Sequence, residues 1–391
     1  MNGIYIHVPF CLKKCRYCDF YSVTDTGLIS DYVNALTCEI ERVALMEPAE
    51  NRKADTLYFG GGTPSVLSLN HLEQILDTVF RFYSMDPCSE ITLEVNPGTA
   101  SNEMIRGYKT LGINRLSIGV QSFQDRHLEF LGRIHNGDAA MALLETSARE
   151  GFDNVGLDLM YGLPGQDTSN WLQDLTTALG FKPAHISCYM LSYEEGTPLY
   201  RAMVNGHVNP LAENKSARLF EKTMEFLDKK NYVHYEISNF ARSRNTQSRH
   251  NKKYWDFQAY RGFGPSAHSF IPSENRRCWN VRDLVAYNSR ISKGQLPVED
   301  HEILTESQQI TEALFLGLRK REGIFLQTFN TRFNMDFLTT FKIPVQTLCE
   351  QDLIRISDER IFLSQKGVLF ADHITSMFVN HDRDQHMFPR S

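Results

Sequence analysis

From residue 4 to about residue 240 the chain alternates short β-rich runs with amphipathic stretches six times over, and this alternation limits the folds open to it. Ile4–Val8, Thr56–Phe59, Ile91–Val95, Arg115–Val120, Val155–Met160 and Ile186–Leu191 read as strands. Between them, Ser30–Met46, Asn70–Phe82 with Ser68 as its N-cap, Ser101–Leu111 and Ala139–Glu150 carry helical periodicity. Repeated β-then-α units imply parallel strands with right-handed crossovers, in a doubly wound sheet or an α/β barrel.

Strand parity separates the two. Ile91, Leu93 and Val95 share one face of their strand, while Thr92, Glu94 and Asn96 share the other. Leu116, Ile118 and Val120 likewise oppose Ser117, Gly119 and Gln121; Val155, Leu157 and Leu159 oppose Gly156, Asp158 and Met160; Ile186, Cys188 and Met190 oppose His185, Ser187 and Tyr189. A doubly wound sheet is covered by helices on both faces and reads apolar on both. One apolar and one polar face fit a barrel with helices outside and a wet interior. An eight-stranded barrel fills its centre with branched apolar residues, so a polar interior predicts a ligand cavity, and six strands leave the barrel open on one side. The fold class is thus α/β, a partial (β/α)6 barrel over residues 1–240.

Residues 241–304 read as a less regular connecting segment, with a basic run (Arg242, Arg244, Arg249, His250, Lys252, Lys253) and a Gly-rich stretch from Gly262 to His268. Residues 305–391 read as a C-terminal α+β winged-helix-like domain: helices over Thr305–Arg321, Leu326–Phe333 and Val345–Asp352, then a hairpin over Leu353–Leu363 turning at residues 357–359. Its charge, ten basic against twelve acidic residues over 301–391, speaks against reading duplex DNA. The whole chain carries a net charge of −6, so nucleic acid is not an expected partner. No run approaches the roughly 20 apolar residues of a membrane span, and the N-terminus lacks the features of a signal peptide. A cytoplasmic location is expected, with any membrane contact peripheral.

Five of the eight cysteines, Cys38, Cys88, Cys188, Cys278 and Cys349, are scattered singly and read as small apolar side chains or idle thiols. Cys11, Cys15 and Cys18 fall within eight residues, directly after the first strand, where barrel folds keep their active sites. Closely spaced thiolates select zinc or iron–sulfur chemistry. A structural zinc needs a fourth ligand, for which His7 is the candidate; three cysteines without a fourth suit a [4Fe-4S] cluster with one iron open to an exogenous ligand.

The run from Tyr5 to Phe20, with its CxxxCxxC spacing, resembles the signature of radical S-adenosylmethionine (SAM) proteins, and more narrowly the branch that holds oxygen-independent coproporphyrinogen III oxidases and haem chaperones. The resemblance implies that Cys11, Cys15 and Cys18 hold three irons while SAM chelates the fourth, and that one electron from the cluster can cleave SAM. It places Gly61, Gly62 and Thr63, within Gly60–Pro64, at the methionine amino end of SAM, and Glu94 on the ribose hydroxyls. By spacing, Gln121, Arg133 and Asp158 align with residues that contact a second SAM, and Tyr5 and Tyr17 flank the cluster. On physical grounds Asp158, a carboxylate inside an apolar strand, needs a partner; Arg133 or a ligand ammonium would supply one.

Two departures from the oxidase pattern favour the chaperone side: the signature begins at residue 5, and Phe20 stands where the oxidase has a fourth cysteine. The segment His250-Asn-Lys-Lys-Tyr-Trp255 fits the HNxxYW motif tied to haem binding in the chaperones, which makes His250 the expected haem ligand and His268 a second candidate. The neighbouring basic residues are expected to meet the haem propionates. The expected partners are haem and acceptor apo-haemoproteins such as membrane respiratory enzymes. The alternatives are an oxygen-independent coproporphyrinogen III oxidase and, disfavoured by the acidic C-terminal domain, a zinc-containing winged-helix regulator.

Overall fold

A computed structural model describes residues 1–357 and 359–384. Six parallel strands run in chain order, β1 (Asn2–Val8), β2 (Lys53–Gly61), β3 (Ser84–Val95), β4 (Arg115–Gln121), β5 (Val155–Tyr161) and β6 (His185–Met190), each paired in parallel with the next. Helices Ile29–Met46, Leu69–Phe82, Asn102–Thr110, Gly137–Arg149 and Thr168–Gly180 cover the outer face. The N-termini of the last four are set by local chemistry: the Ser68, Ser101, Asn136 and Asp167 side chains each accept a backbone N–H of the first turn.

The split by parity holds except at Met190, which was grouped with Ile186 and Cys188 but is exposed at the cavity mouth where β6 ends. Ile4, Ile6, Leu57, Phe59, Leu93, Leu116, Ile118, Leu157 and Ile186 are fully buried under the helices. Removing each such side chain from water contributes about 1.5–3 kcal/mol. The opposite faces of β2 to β6 turn inward onto a cavity. Gln121, at φ 65°, sits where the β4–β5 register shifts, so β4 ends in a bulge that turns this residue to the mouth.

The stretch 241–304, expected to be an irregular connector, is built into the same sheet. After β6 come β7 (Val233–Glu236) and β8 (Asn239–Ala241), with β8 antiparallel to β6. On the other side β9 (Tyr260–Phe263) joins β1 in parallel, followed by β10 (His268–Ile271), β11 (Arg276–Asn280) and β12 (Val298–Ile303), giving twelve strands. These added strands are short, three to six residues each, and in Val298–Ile303 five of six residues are exposed, which hides them from a search for apolar alternation.

Helix Arg249–Trp255 closes the end of the barrel opposite the cysteine loop. The Glu90 carboxylate, near the start of the inner part of β3, accepts the backbone N–H groups of Arg249 and His250 at 3.1 Å each, an anion on a helix N-terminus. Lys253 pairs with Asp55 (2.6 Å) and donates to the Met1 carbonyl (3.0 Å).

The C-terminal part packs helices Glu306–Arg319, Leu326–Phe333, Lys342–Glu350 and Ala371–Asp384 with a three-stranded sheet of β13 (Ile324–Phe325), β14 (Ile354–Ile356) and β15 (Arg360–Leu363), around Phe329, Phe337, Phe341 and Phe378. The expected β14–β15 hairpin forms; the middle residue of its turn, 358, lies outside the described residues, as do 385–391. This part is fastened to the barrel by Arg319 on Glu236 (2.6 Å), Lys320 on Asp256 (2.7 Å) and the Arg332 guanidinium 4.2 Å from the centre of the Phe257 ring.

Candidate cofactor and ligand cavity

A cavity of about 590 Å³ runs through the barrel from the cysteine loop to Asn251 of the closing helix. At its mouth the loop is pinned on both sides: Cys11 N–H donates to Val23 O (3.0 Å), Arg16 N–H to Leu131 O (3.1 Å) and Leu199 N–H to Arg16 O (2.9 Å). Cys11, Cys15, Tyr17 and Cys18 all line the cavity. Burial, together with the neighbouring Cys15 and Cys11, pushes the Cys18 thiol up. Among the described residues, no three His, Cys, Asp or Glu side chains gather closely enough to hold one metal ion. Nor is His7 a fourth ligand: its Nδ1 meets Tyr5 Oη (3.2 Å) and its Nε2 the Tyr21 carbonyl (3.0 Å). Three thiols facing one cavity without converging on one point suit a cluster of several metal atoms.

A hydrogen-bonded chain ties the thiols to the strand ends. The Arg133 guanidinium donates to Cys15 Sγ (3.5 Å), Gly119 O (2.7 Å) and Asn96 Oδ1; Asn96 Nδ2 donates to Thr63 Oγ1 (2.8 Å), and Thr63 Oγ1 to Cys11 Sγ (3.4 Å). Asn96 is the residue in this chain that sequence reasoning passed over; its place on the inward face of β3 was the available signal. Glycine is required beside it. A Cβ on Gly119 would stand 2.6 Å from Asn96 Oδ1, and one on Gly62 would stand 2.7 Å from the Phe10 carbonyl and 2.9 Å from that of Val8. Gly61 adopts φ +106°.

Glu94 lies deeper, accepting the Tyr58 hydroxyl (2.8 Å); burial pushes its carboxyl up to about 7. Asp158 accepts Ser117 Oγ (3.2 Å), and burial raises its pKa too. The expected Arg133–Asp158 pair does not form, because Arg133 is committed to Asn96, Gly119 and Cys15; serines hold Asp158 instead. Tyr5 is not part of the lining: it lies behind Gly60 and stacks on Tyr58 and His250, with centroids 6.2 and 6.4 Å away.

His250 differs most from expectation. It is 1% exposed, with Nδ1 against Thr56 Oγ1 and Nε2 against Tyr254 Oη, both at 2.8 Å, and burial lowers its pKa to about 3. It offers no free nitrogen to an iron in this structure, and it lies at the end of the barrel away from the cysteines. Most of the basic run is also spoken for, with Arg244 the exception among the described residues: Arg249 and Lys253 share Asp55, Lys252 donates to Gln247, and Arg242 to the Lys182 carbonyl. His268 is exposed, makes no side-chain hydrogen bond among the described residues and stacks on Trp279 (5.9 Å). Around the cavity mouth stand exposed apolar side chains, Leu12, Phe20, Ile134, Tyr189 and Met190.

The Radical SAM superfamily model matches residues 5–178, and the HemN C-terminal domain model residues 304–370. The solved coproporphyrinogen III oxidase (HemN) of Escherichia coli superposes with a TM-score of 0.83 over 97% of this chain and 90% of that one, at 21% identity, which establishes the fold. The Heme chaperone HemW of Bacillus subtilis is 34% identical over 97% of this chain and 99% of its own. The chain belongs to the HemW family. The HemW of Lactococcus lactis is 33% identical over 97% of this chain and 98% of its own, and a mitochondrial radical S-adenosyl methionine domain-containing protein 1 of Danio rerio is 30% identical over 95% and 85%. Kinship with HemW thus spans barrel, added strands and C-terminal domain alike. No helix among the described residues is long and apolar enough to cross a membrane.

Proposed function

We propose that this chain is a haem chaperone of the cytoplasm, which binds haem and hands it to acceptor haemoproteins, membrane respiratory enzymes among them. The observation that carries the reading is the end-to-end match, at about a third identity, to relatives named as haem chaperones. The apolar rim of Leu12, Phe20, Ile134, Tyr189 and Met190 adds support, because a flat, largely apolar macrocycle is the kind of ligand that covers such a surface.

The donor set fits a [4Fe-4S] cluster on Cys11, Cys15 and Cys18, with SAM along Gly61, Gly62 and Thr63 and its ribose at Glu94. When bound, the two together supply one-electron chemistry. The protein's part is positional. Arg133 places positive charge beside Cys15, Asn96 and Thr63 link that guanidinium to Cys11, and Gly62 lets the second strand end approach the loop backbone. Gln121 and Asp158, with Tyr17 at the mouth, complete the polar wall a SAM molecule would meet. Glu94, with its carboxyl raised to about 7, can accept or donate a hydrogen bond to a hydroxyl near neutral pH.

The test is an anaerobic haem titration of the iron-reconstituted protein, followed by visible spectroscopy, with transfer to an apo-haemoprotein as the second stage. Saturation near one haem per chain and its passage to the acceptor are expected. A wild type that binds no haem but decarboxylates coproporphyrinogen III with reductant and SAM would overturn the chaperone in favour of the oxidase.

A further inference from the structure

Arg115 opens β4 on its inward face. It is 1% exposed, and no hydrogen bond or ion pair among the described residues involves its guanidinium; Nε and Nη1 are buried without a partner. The carboxylates around it are engaged elsewhere, Glu90 on the N-terminus of the closing helix and Asp158 on Ser117. Glu90 and Asp158 lie near enough for their charge to outweigh the burial of the guanidinium, but neither meets it in a hydrogen bond or ion pair, and buried donors left without a partner are costly in a folded protein. Two strands away, His185 is also 1% exposed. Its Nε2 lies 2.7 Å from Tyr235 Oη, and that oxygen receives the Ser248 N–H at 3.3 Å. The tyrosine proton therefore points to Nε2, which leaves the imidazole proton on Nδ1, a buried atom with no partner.

Both groups line the cavity, and Gly156 lies between them, across from Ser117 in β4 and His185 in β6. A Cβ on Gly156 would stand 3.3 Å from Arg115 Nη2 and 3.5 Å from His185 Nδ1. The missing side chain thus leaves a seat on which a guanidinium edge and an imidazole N–H converge, with Asn251 closing the same end of the cavity. We infer that this seat binds a carboxylate, one oxygen on Arg115 and one near His185, at the deep end of the cavity. Such a carboxylate belongs either to a small free acid or to the propionate arm of a tetrapyrrole. The second source rests on the haem-chaperone reading; the first does not.

The test uses the full chain with its iron reconstituted and no SAM, as wild type, Arg115→Gln and Gly156→Ala. The alanine keeps both donors and fills the seat, so it remains informative if Arg115→Gln folds poorly. In the first arm, sodium propionate is titrated against sodium chloride at equal ionic strength and the melting temperature is followed. A saturable rise in the wild type that both variants lose identifies a free acid. In the second arm, haem is compared with haem dimethyl ester. A wild-type preference for the free acid of about tenfold, typical of a charge-assisted contact, abolished in Gly156→Ala, identifies the propionate arm. If neither arm distinguishes wild type from the variants, water fills the seat and the inference is wrong. A wild type that binds no haem, with the first arm intact, sinks the chaperone reading alone.

Discussion

Replacing His250 with alanine separates two roles for the HNxxYW segment. The imidazole holds Thr56 and Tyr254 through two buried hydrogen bonds of 2.8 Å and stacks on Tyr58 with centroids 5.2 Å apart. Each hydrogen bond contributes about 1 kcal/mol net and the ring contact about another, so the substitution should cost about 3 kcal/mol of stability. Urea unfolding followed by tryptophan fluorescence reads this directly, since Trp255 sits on the same helix and packs against Tyr235 at 5.9 Å. In the folded variant the axial-ligand bands of bound haem should be unchanged, because neither imidazole nitrogen is available. Thr56→Val, which takes one hydrogen bond away from the other side, should cost about 1–2 kcal/mol and leave haem binding alone. An unchanged urea midpoint combined with loss of the histidine-ligated haem spectrum would show that His250 swings out to the iron, and would refute the reading of this residue as part of the barrel floor.

Cys15→Ala should lose most of the reconstituted iron and the visible charge-transfer absorption of the cluster, measured by iron and sulfide analysis. Gly62→Ala, which forces a methyl against two backbone carbonyls, should cost about 1–3 kcal/mol and reduce iron loading as the loop shifts. Glu39, buried on Gly264 N–H, Asn280 and Tyr287, has its carboxyl raised by burial to about 7 from 4.5. The folded state therefore keeps a proton that the unfolded state has lost between those values, and the stabilisation present below pH 4.5 disappears as pH rises through 7. The stability difference between wild type and Glu39→Gln should accordingly shift against the wild type from pH 5 to pH 8 in urea titrations; parallel curves would exclude it.

Parity alone made the barrel and its wet interior legible, because a strand with helices on one side and solvent on the other must alternate. The cysteine spacing and the Gly60–Pro64 run pointed to the mouth for the same local reason: both lie directly after a strand. The partners of those residues could not be read in advance. Arg133 and Asp158 share a cavity, yet Arg133 is drawn to Asn96 and Gly119 by contacts far apart in sequence. Arg115 stood in the sequence only as the first residue of a strand; the packing of β5 and β6 shows that its guanidinium meets no hydrogen-bond partner among the described residues. The HNxxYW run carries ligand-like residue types, but the approach of Glu90 and Asp55, more than 150 residues earlier, turns it into a stopper.

Glu236 is fully buried, and the cation that answers it, Arg319, comes from the C-terminal domain. A barrel deprived of that domain would keep this edge-strand carboxylate with only the Ser238 N–H and the Asn239 amide on it and no cation, a loss of up to about 3–5 kcal/mol. The two modules therefore share one fate on heating: a single calorimetric transition in the whole chain, and a truncated barrel that survives mainly at acid pH, where a proton can take the place of the missing arginine.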